Sequence, residues 1–208
     1  MRRWKAYLDL CFFSLVVGII IFVIDRASFH LLFESLKKNN SVVVFAESLT
    51  GGLISSQFSQ IPGVSSVLWG GFVVYSPFAK EKVLGVSREI IKKHGVVSVE
   101  CASAMAEGAL NVAYFERFPS ALYSLSVTGL AGPASPGGST SFEDSLPIGT
   151  VYMAVAKKTF DSNIEASKNL AFSNLKVSVR SFLFEGDREE IQEKTANEGV
   201  RFLLEILN

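Results

Sequence analysis

Apolar residues at positions 29, 31, 32, 33 and 36 share one face of a helix, which Lys37-Lys38-Asn39-Asn40 closes. Val42-Val43-Val44-Phe45 is a short β-branched run, the pattern of a strand buried on both faces of a sheet. Leu53, Ile54 and Phe58 then follow at helical spacing, so Glu47 to Gly52 is the turn from a buried strand into a helix that Ile61-Pro62-Gly63 ends. Leu68 to Tyr75 reads as a second strand. Ser76-Pro77 has the form of an N-cap with proline at the first helical position. One helix is expected from Ser87 to Lys93, ended by His94-Gly95, and another from Ser98 to about Phe115 through Cys101, Met105 and Leu110. Ala121 to Val127 is a third strand, and the Gly-, Pro- and Ser-rich stretch Thr128 to Pro147 a loop. Ile148–Ala156 and Glu165–Ser173 read as two neighbouring strands. Asp187 with Glu190 three residues on forms a capping box that opens a last helix to Leu207. Helices interleaved with strands predict an α/β fold, a sheet between helix layers, as one domain over residues 28–208.

Residues 1–27 stand apart. Arg2, Arg3 and Lys5 precede an apolar run from Leu10 to Ile24, which Asp25 and Arg26 close. The run is shorter than the roughly 20 residues a membrane span needs. It has the length of a signal-peptide core, yet no small-x-small cleavage site follows it. Three readings stay open: a short membrane anchor, an extension outside the fold, and a buried core helix. Basic residues on both flanks, with Lys37 and Lys38 downstream, leave the orientation of an anchor undecided.

The chain has 208 residues, with 20 Lys+Arg against 20 Asp+Glu, so no bulk basic field attracts nucleic acid. At 49% hydrophobic and 19% charged it has ample material for a core. Two cysteines, Cys11 and Cys101, with no CxxC, exclude a disulfide framework and a cysteine-rich zinc site. The two histidines, His30 and His94, are far apart in sequence; no metal site and no cofactor is expected, and a Ser-His-Asp triad has few candidates. His94 reads as a helix-end residue and Cys101 as core.

In an α/β sheet, ligands bind beyond the carboxyl ends of the strands. Three loops qualify. Glu47-Ser48-Leu49-Thr50-Gly51-Gly52 sets a serine at a strand-to-helix turn, where glycines let the backbone approach a ligand and helix N–H groups suit an oxyanion or phosphate. A plain Gly-rich turn with a polar cap would look the same. In Tyr75-Ser76-Pro77-Phe78-Ala79-Lys80, Tyr75 is N′ and Lys80 N4 of the helix that Ser76 caps, positions that pack together in a hydrophobic staple. A tyrosine beside a lysine at the positive end of a helix, the lysine's charged form disfavoured there, makes a workable base for a serine hydroxyl. A solvated lysine and a sheet-end aromatic are the alternative. The third loop, Thr128-Gly129-Leu130-Ala131-Gly132-Pro133, offers a hydroxyl and glycine-rich backbone, as a substrate-binding segment or a plain connection.

Ordered blocks of sequence carry a resemblance. Ala46-Glu47-Ser48-Leu49-Thr50-Gly51-Gly52 is similar to the A-E-S-C-T-G-G signature of the CinA C-terminal domain family, the PncC-like nicotinamide-nucleotide amidases or NMN deamidases. Gly71-Phe72-Val73-Val74-Tyr75-Ser76 with Ala79-Lys80 resembles that family's G-F-V-T-Y-S-N-x-A-K. Leu84-Gly85-Val86, His94-Gly95-Val96-Val97-Ser98, Thr128-Gly129-Leu130-Ala131-Gly132-Pro133, Pro147-Ile148-Gly149-Thr150-Val151 and Phe184-Glu185-Gly186-Asp187-Arg188 continue it in order. The resemblance implies a layered α/β/α sandwich with a mixed sheet. It also implies hydrolysis of nicotinamide mononucleotide (NMN) to nicotinic acid mononucleotide and ammonia in pyridine-nucleotide salvage. By position Ser48 becomes the nucleophile, Tyr75 and Lys80 its activating pair, and Glu47, Thr50, Gly51, Gly52, Thr128 and Gly129 the substrate-binding set. Backbone N–H groups near Thr50-Gly51-Gly52 would hold the oxyanion. A cytoplasmic protein is expected, its partner a small pyridine nucleotide and not nucleic acid, with membrane contact through 10–24 and a homo-oligomer as further expectations.

The sequence departs from the pattern at several positions. Leu49 replaces Cys, Val74 replaces Thr, Pro77 replaces Asn, and Leu146 stands where a lysine precedes the proline. Ala134-Ser135-Pro136 and Thr140 to Ser145 lengthen the Gly-rich loop. Nucleophile and base survive; polar groups that could hold the nucleotide do not all survive. Two other functions therefore stay in view: an amidase for a different amide, and a catalytically silent nucleotide-binding or membrane-associated protein.

Overall fold

The computed structural model describes residues 24–113, 119–133, 145–159 and 173–208 of the chain. The element order is α1 (Arg26–Lys38), β1 (Ser41–Glu47), α2 (Leu53–Ser59), a 3₁₀ turn (Val64–Ser66), β2 (Leu68–Val73), α3 (Pro77–Leu84), α4 (Arg88–His94), α5 (Val99–Val112), β3 (Ala121–Gly129), β4 (Thr150–Thr159), β5 (Ser173–Leu183) and α6 (Arg188–Leu207). One five-stranded sheet runs β2-β1-β3-β4-β5. β2, β1 and β3 are parallel, while β4 and β5 are antiparallel to their neighbours, so the sheet is mixed.

The two faces of the sheet are covered by different kinds of helix. On one, Phe29, Leu32 and Leu36 of α1, Phe58 of α2 and Ile191 and Leu203 of α6 pack on Phe45, Leu125 and Met153. These are large side chains, and Phe45 meets Phe58 edge-on at 5.6 Å. On the other, Val44, Ala46, Leu122 and Ala154 meet Leu84 of α3 and the small residues Ala102, Ala106 and Ala109 of α5. There, the buried hydroxyls of Ser124 and Ser126 donate to the Ala106 and Ala102 carbonyls at 2.7 and 2.6 Å, which satisfies polar groups inside an otherwise dry layer. Gly108 lets α3 come close: a Cβ there would lie 2.0 Å from the Leu84 carbonyl oxygen.

Helix starts follow the local sequence. The hydroxyls of Ser76, Ser87 and Ser98 and the Asp187 carboxylate each accept an N–H from the first turn of their helices. α1 starts earlier than the apolar pattern suggests. The Asp25 carboxylate accepts the Ser28 N–H at 3.2 Å and binds Arg201 of α6 at 2.9 Å. The Asp25 N–H donates to Asn197 at 2.8 Å, and Ile24 packs on the core. A boundary between residues 27 and 28 therefore cuts the first turn of α1. The rest of the apolar run, Leu10 to Val23, lies outside the described residues. Among the described residues no helix is long and apolar enough to cross a membrane.

The strand expected at roughly Glu165–Ser173 falls, except for Ser173, outside the described residues. The partner of β4 is Ser173–Leu183, with Val179 opposite Ala154. Its signal is the alternation of Leu175, Val177 and Val179 with Lys176, Ser178 and Arg180. β3 also runs past Val127, with Thr128 and Gly129 paired to Tyr152 and Val151, so the connection begins at Leu130. α5 ends at Val112.

Candidate active site

Because β1, β2 and β3 are parallel, their carboxyl ends share one edge of the sheet, and the expected loops meet there. Glu47 pairs with Val73 on one side and Val127 on the other. The Ser48 N–H continues the ladder to the Val127 carbonyl at 3.1 Å, and the Val74 N–H reaches the Glu47 carbonyl at 2.8 Å. The turn around Ser48 is thus held between the ends of both neighbouring strands.

Lys80 sits one turn into α3, whose start is set by Ser76 and Pro77. Its side chain turns inward and is 1% exposed. The amine lies 2.7 Å from Ser48 Oγ and donates to the Val74 carbonyl at 2.8 Å. Ser48 is itself buried, at 7%. The alternative of a solvated Lys80 is excluded by this burial.

Tyr75 departs from expectation. Its side chain is 60% exposed while Lys80 is 1% exposed, and its hydroxyl lies 3.4 Å from the Arg188 guanidinium. The Lys80 amine is drawn inward by its bonds to Ser48 and the Val74 carbonyl, while Tyr75 stays largely on the surface.

The structure also corrects the role expected of Glu47. Its carboxylate is fully buried and accepts from the Thr50 hydroxyl at 2.8 Å, the Gly52, Ile54 and Ser55 N–H groups at 3.1, 3.0 and 2.8 Å, and the Ser55 hydroxyl at 2.5 Å. Glu47 therefore caps α2 and closes the turn, leaving no carboxylate oxygen for a substrate. The same bonds occupy N–H groups expected to serve an oxyanion; the Gly51 N–H is taken by the Ser48 carbonyl at 3.1 Å. Gly51 and Gly52 have φ of 61° and 102°, left-handed values that give this tight turn its glycines.

Thr50 and Thr128 are likewise committed inside the protein. Thr50 is 4% exposed and bonded to Glu47, and the Thr128 hydroxyl donates to the Val96 carbonyl at 2.7 Å. Gly129 lets β3 and β4 pair closely, since a Cβ there would lie 2.5 Å from the Thr150 carbonyl oxygen. His94 ends α4, its Nδ1 3.2 Å from Glu100, and Cys101 is buried in the core. Among the described residues no group of three His, Cys, Asp or Glu side chains could hold a metal ion. A shallow depression lined by Ile24, Phe29, His30 and Gln57 carries none of the candidate side chains.

Two residues of α6 reach the site that the sequence did not place there: Arg188, quoted only as part of a resembling block, and Gln192, which carries no signal. Gln192 Nε2 donates to the Leu49 carbonyl at 2.7 Å. Arg188 lies against Tyr75 and beside Gly132, where a Cβ would meet its guanidinium at 2.8 Å. These contacts bridge 143 and 113 positions, beyond any local pattern.

Comparison with known proteins identifies the family and the fold. The family model of the CinA C-terminal domain matches residues 26–207. A CinA-like protein of Thermosipho melanesiensis is 37% identical over 90% of this chain and 40% of its own length. One of Fervidobacterium nodosum is 46% identical over 67% of this chain and 31% of its own. The chain thus spans well under half the length of these curated relatives. Among solved structures, a CinA superfamily protein from Enterobacter cloacae aligns with TM-score 0.70 at 27% identity, covering 89% of this chain and 94% of that one. A competence/damage-inducible protein from Agrobacterium tumefaciens aligns with TM-score 0.67 at 27% identity, covering 88% and 95%. With its mixed sheet, the buried serine–lysine pair at the sheet edge and a family match from the first helix to the last, this chain belongs to the CinA C-terminal domain family.

Proposed function

We propose that the domain is a serine–lysine amidohydrolase that converts nicotinamide mononucleotide to nicotinic acid mononucleotide and ammonia. The observation that carries this reading is the 2.7 Å contact between Lys80 Nζ and Ser48 Oγ, with both groups buried. An amine removed from water loses the hydration that favours its charge, which suits it to accept a proton. Its N–H bond to the Val74 carbonyl fixes the amine, so that its lone pair can be aimed at the serine hydroxyl.

In the reaction, Ser48 Oγ bonds to the carboxamide carbon as its proton passes to Lys80, and the C=O π pair moves onto oxygen. The oxyanion collapses, the C–N bond breaks, and ammonia leaves with the proton from Lys80. An ester on Ser48 remains, a nicotinoyl group still carrying ribose phosphate. Water then attacks this ester while giving its proton to Lys80; the second oxyanion collapses and Ser48 Oγ leaves with that proton.

The serine and lysine argue for the reaction class, and the resemblance to nicotinamide-nucleotide amidases argues for the substrate. The test is ammonia release from NMN beside nicotinamide riboside, nicotinamide and unrelated primary amides, for wild type and Ser48→Ala. Release from NMN by wild type alone supports the reading. Preference for an unrelated amide would move the substrate, and no release from any amide would leave the silent-protein alternative.

A further inference from the structure

The expected oxyanion donors are spent: the Gly51, Gly52, Ile54 and Ser55 N–H groups all have partners inside the turn. The Leu49 and Thr50 N–H groups, one and two residues after the nucleophile, bond to no other described residue. Both residues are buried, at 3% and 4% exposure, and an N–H with no partner among the described residues in such a place calls for a function. The peptide between them is trans, so its carbonyl and the Thr50 N–H point in opposite directions. Gln192 of α6 holds that carbonyl at 2.7 Å. α6 covers the sheet face opposite α3, and Lys80 approaches Ser48 from α3. With its carbonyl drawn toward α6, the peptide presents the Thr50 N–H toward the side from which Lys80 reaches the serine.

We propose that Gln192 is a positioning residue for this site: by holding the Leu49 carbonyl it aims the Thr50 N–H, with the Leu49 N–H beside it, at the oxygen that becomes negative when Ser48 attacks an amide. The inference rests on Ser48 being the nucleophile, as proposed above. It separates two jobs within one turn. Glu47 makes the turn rigid by consuming its later N–H groups, and Gln192 reserves the earlier ones for the reaction. Without Gln192 the Leu49–Thr50 peptide is free to rotate and the donors lose their direction. Donors aimed in advance at a developing oxyanion lower the barrier without tightening ground-state binding.

The test uses the full chain as wild type, Ser48→Ala and Gln192→Met, the last matching glutamine in length but unable to donate. Pyridine-3-boronic acid is the probe. Ser48 Oγ adds to its trigonal boron, the serine proton passes to Lys80, and the resulting tetrahedral boronate anion places a hydroxyl where the oxyanion would sit. Boron NMR reads the adduct, and amide NMR reads the Leu49 and Thr50 N–H groups. Expected are a Ser48-dependent adduct, downfield shifts of both N–H signals, and at least tenfold weaker adduct formation in Gln192→Met. Its kcat for ammonia release should fall about 10- to 100-fold, with KM within about twofold, since one misaligned donor costs up to 10²–10³. An adduct in wild type without a Thr50 shift, or equal adduct and kcat in Gln192→Met, overturns the positioning role while leaving Ser48 as nucleophile. No Ser48-dependent adduct together with no ammonia release overturns the nucleophile, and the role of Gln192 falls with it. A kcat loss in Gln192→Met accompanied by an equal loss of folded protein, with the Thr50 shift retained, also counts against it.

Discussion

Lys80 Nζ and Ser48 Oγ are 2.7 Å apart, although 32 positions separate them in the chain. The contact is built by the sheet. Parallel pairing of β1 with β2 places Val73 beside Glu47, and the chain then turns through Val74 into α3. Replacing Lys80 with methionine keeps much of the side chain's volume and removes the amine. The expected outcome is a fall in kcat of about 10²–10⁴, the usual weight of a positioned base. Ammonia release with circular dichroism on the same sample checks it, and near wild-type turnover would exclude Lys80 as the base.

Tyr75 should matter less. Its hydroxyl is on the exposed side and lies 3.4 Å from Arg188, so Tyr75→Phe is expected to lower kcat less than about tenfold, below the range of a proton-transfer group. Because the two side chains occupy separate environments, its effect should add to that of Lys80→Met. A double mutant no worse than Lys80→Met alone would place Tyr75 on the same proton path.

Glu47 acts on stability. Glu47→Ala strips five hydrogen bonds from a buried turn and leaves its N–H donors without acceptors. The expected cost is about 3 kcal/mol or more. For a domain of this size that is a drop in Tm of roughly 6–12 °C. Calorimetry checks it; a Tm within about 2 °C of wild type would show that the turn holds without the carboxylate.

Asp25 ties the first helix to the last. Burial raises its carboxyl pKa, but hydrogen bonds from Ser28 and Arg201 outweigh this and hold it below the ordinary value. A carboxylate with a depressed pKa contributes stability in full above its unfolded value, about 4, and loses it as pH falls through the folded value. Asp25→Ala should cost about 1–2 kcal/mol at pH 7, the weight of a helix cap, and the gap to wild type should close below about pH 4. Urea melts across pH measure this. Deleting residues 1–25 removes the same cap, so the loss seen in Asp25→Ala should appear there as well.

Much of this fold is legible from short-range chemistry. Ser76, Ser98 and Asp187 mark helix starts because a side-chain oxygen and an orphan N–H three residues on are local partners. Ser48 and Lys80 are legible as a pair only through the resemblance, because the local sequence is equally compatible with a solvated lysine, and burial by the fold decides between the two. β5 is hard to read from sequence because it is an edge strand with Leu175 and Leu183 largely solvent-facing, a weaker pattern than that of a buried strand. Glu47 reads as a site residue from its motif, yet only the folded turn shows its carboxylate consumed. Gln192 leaves no trace because its partner is a carbonyl 143 residues away, and a backbone acceptor carries no sequence signature.

The most direct test of the central claim is an acid-quenched single turnover with NMN, followed by mass mapping of the modified peptide. A nicotinoyl ester, ribose phosphate attached, is expected on Ser48 in the wild type, none in Ser48→Ala, and slowed formation in Lys80→Met. An acyl group on any other residue, or ammonia release by Ser48→Ala at the wild-type rate, would contradict the claim.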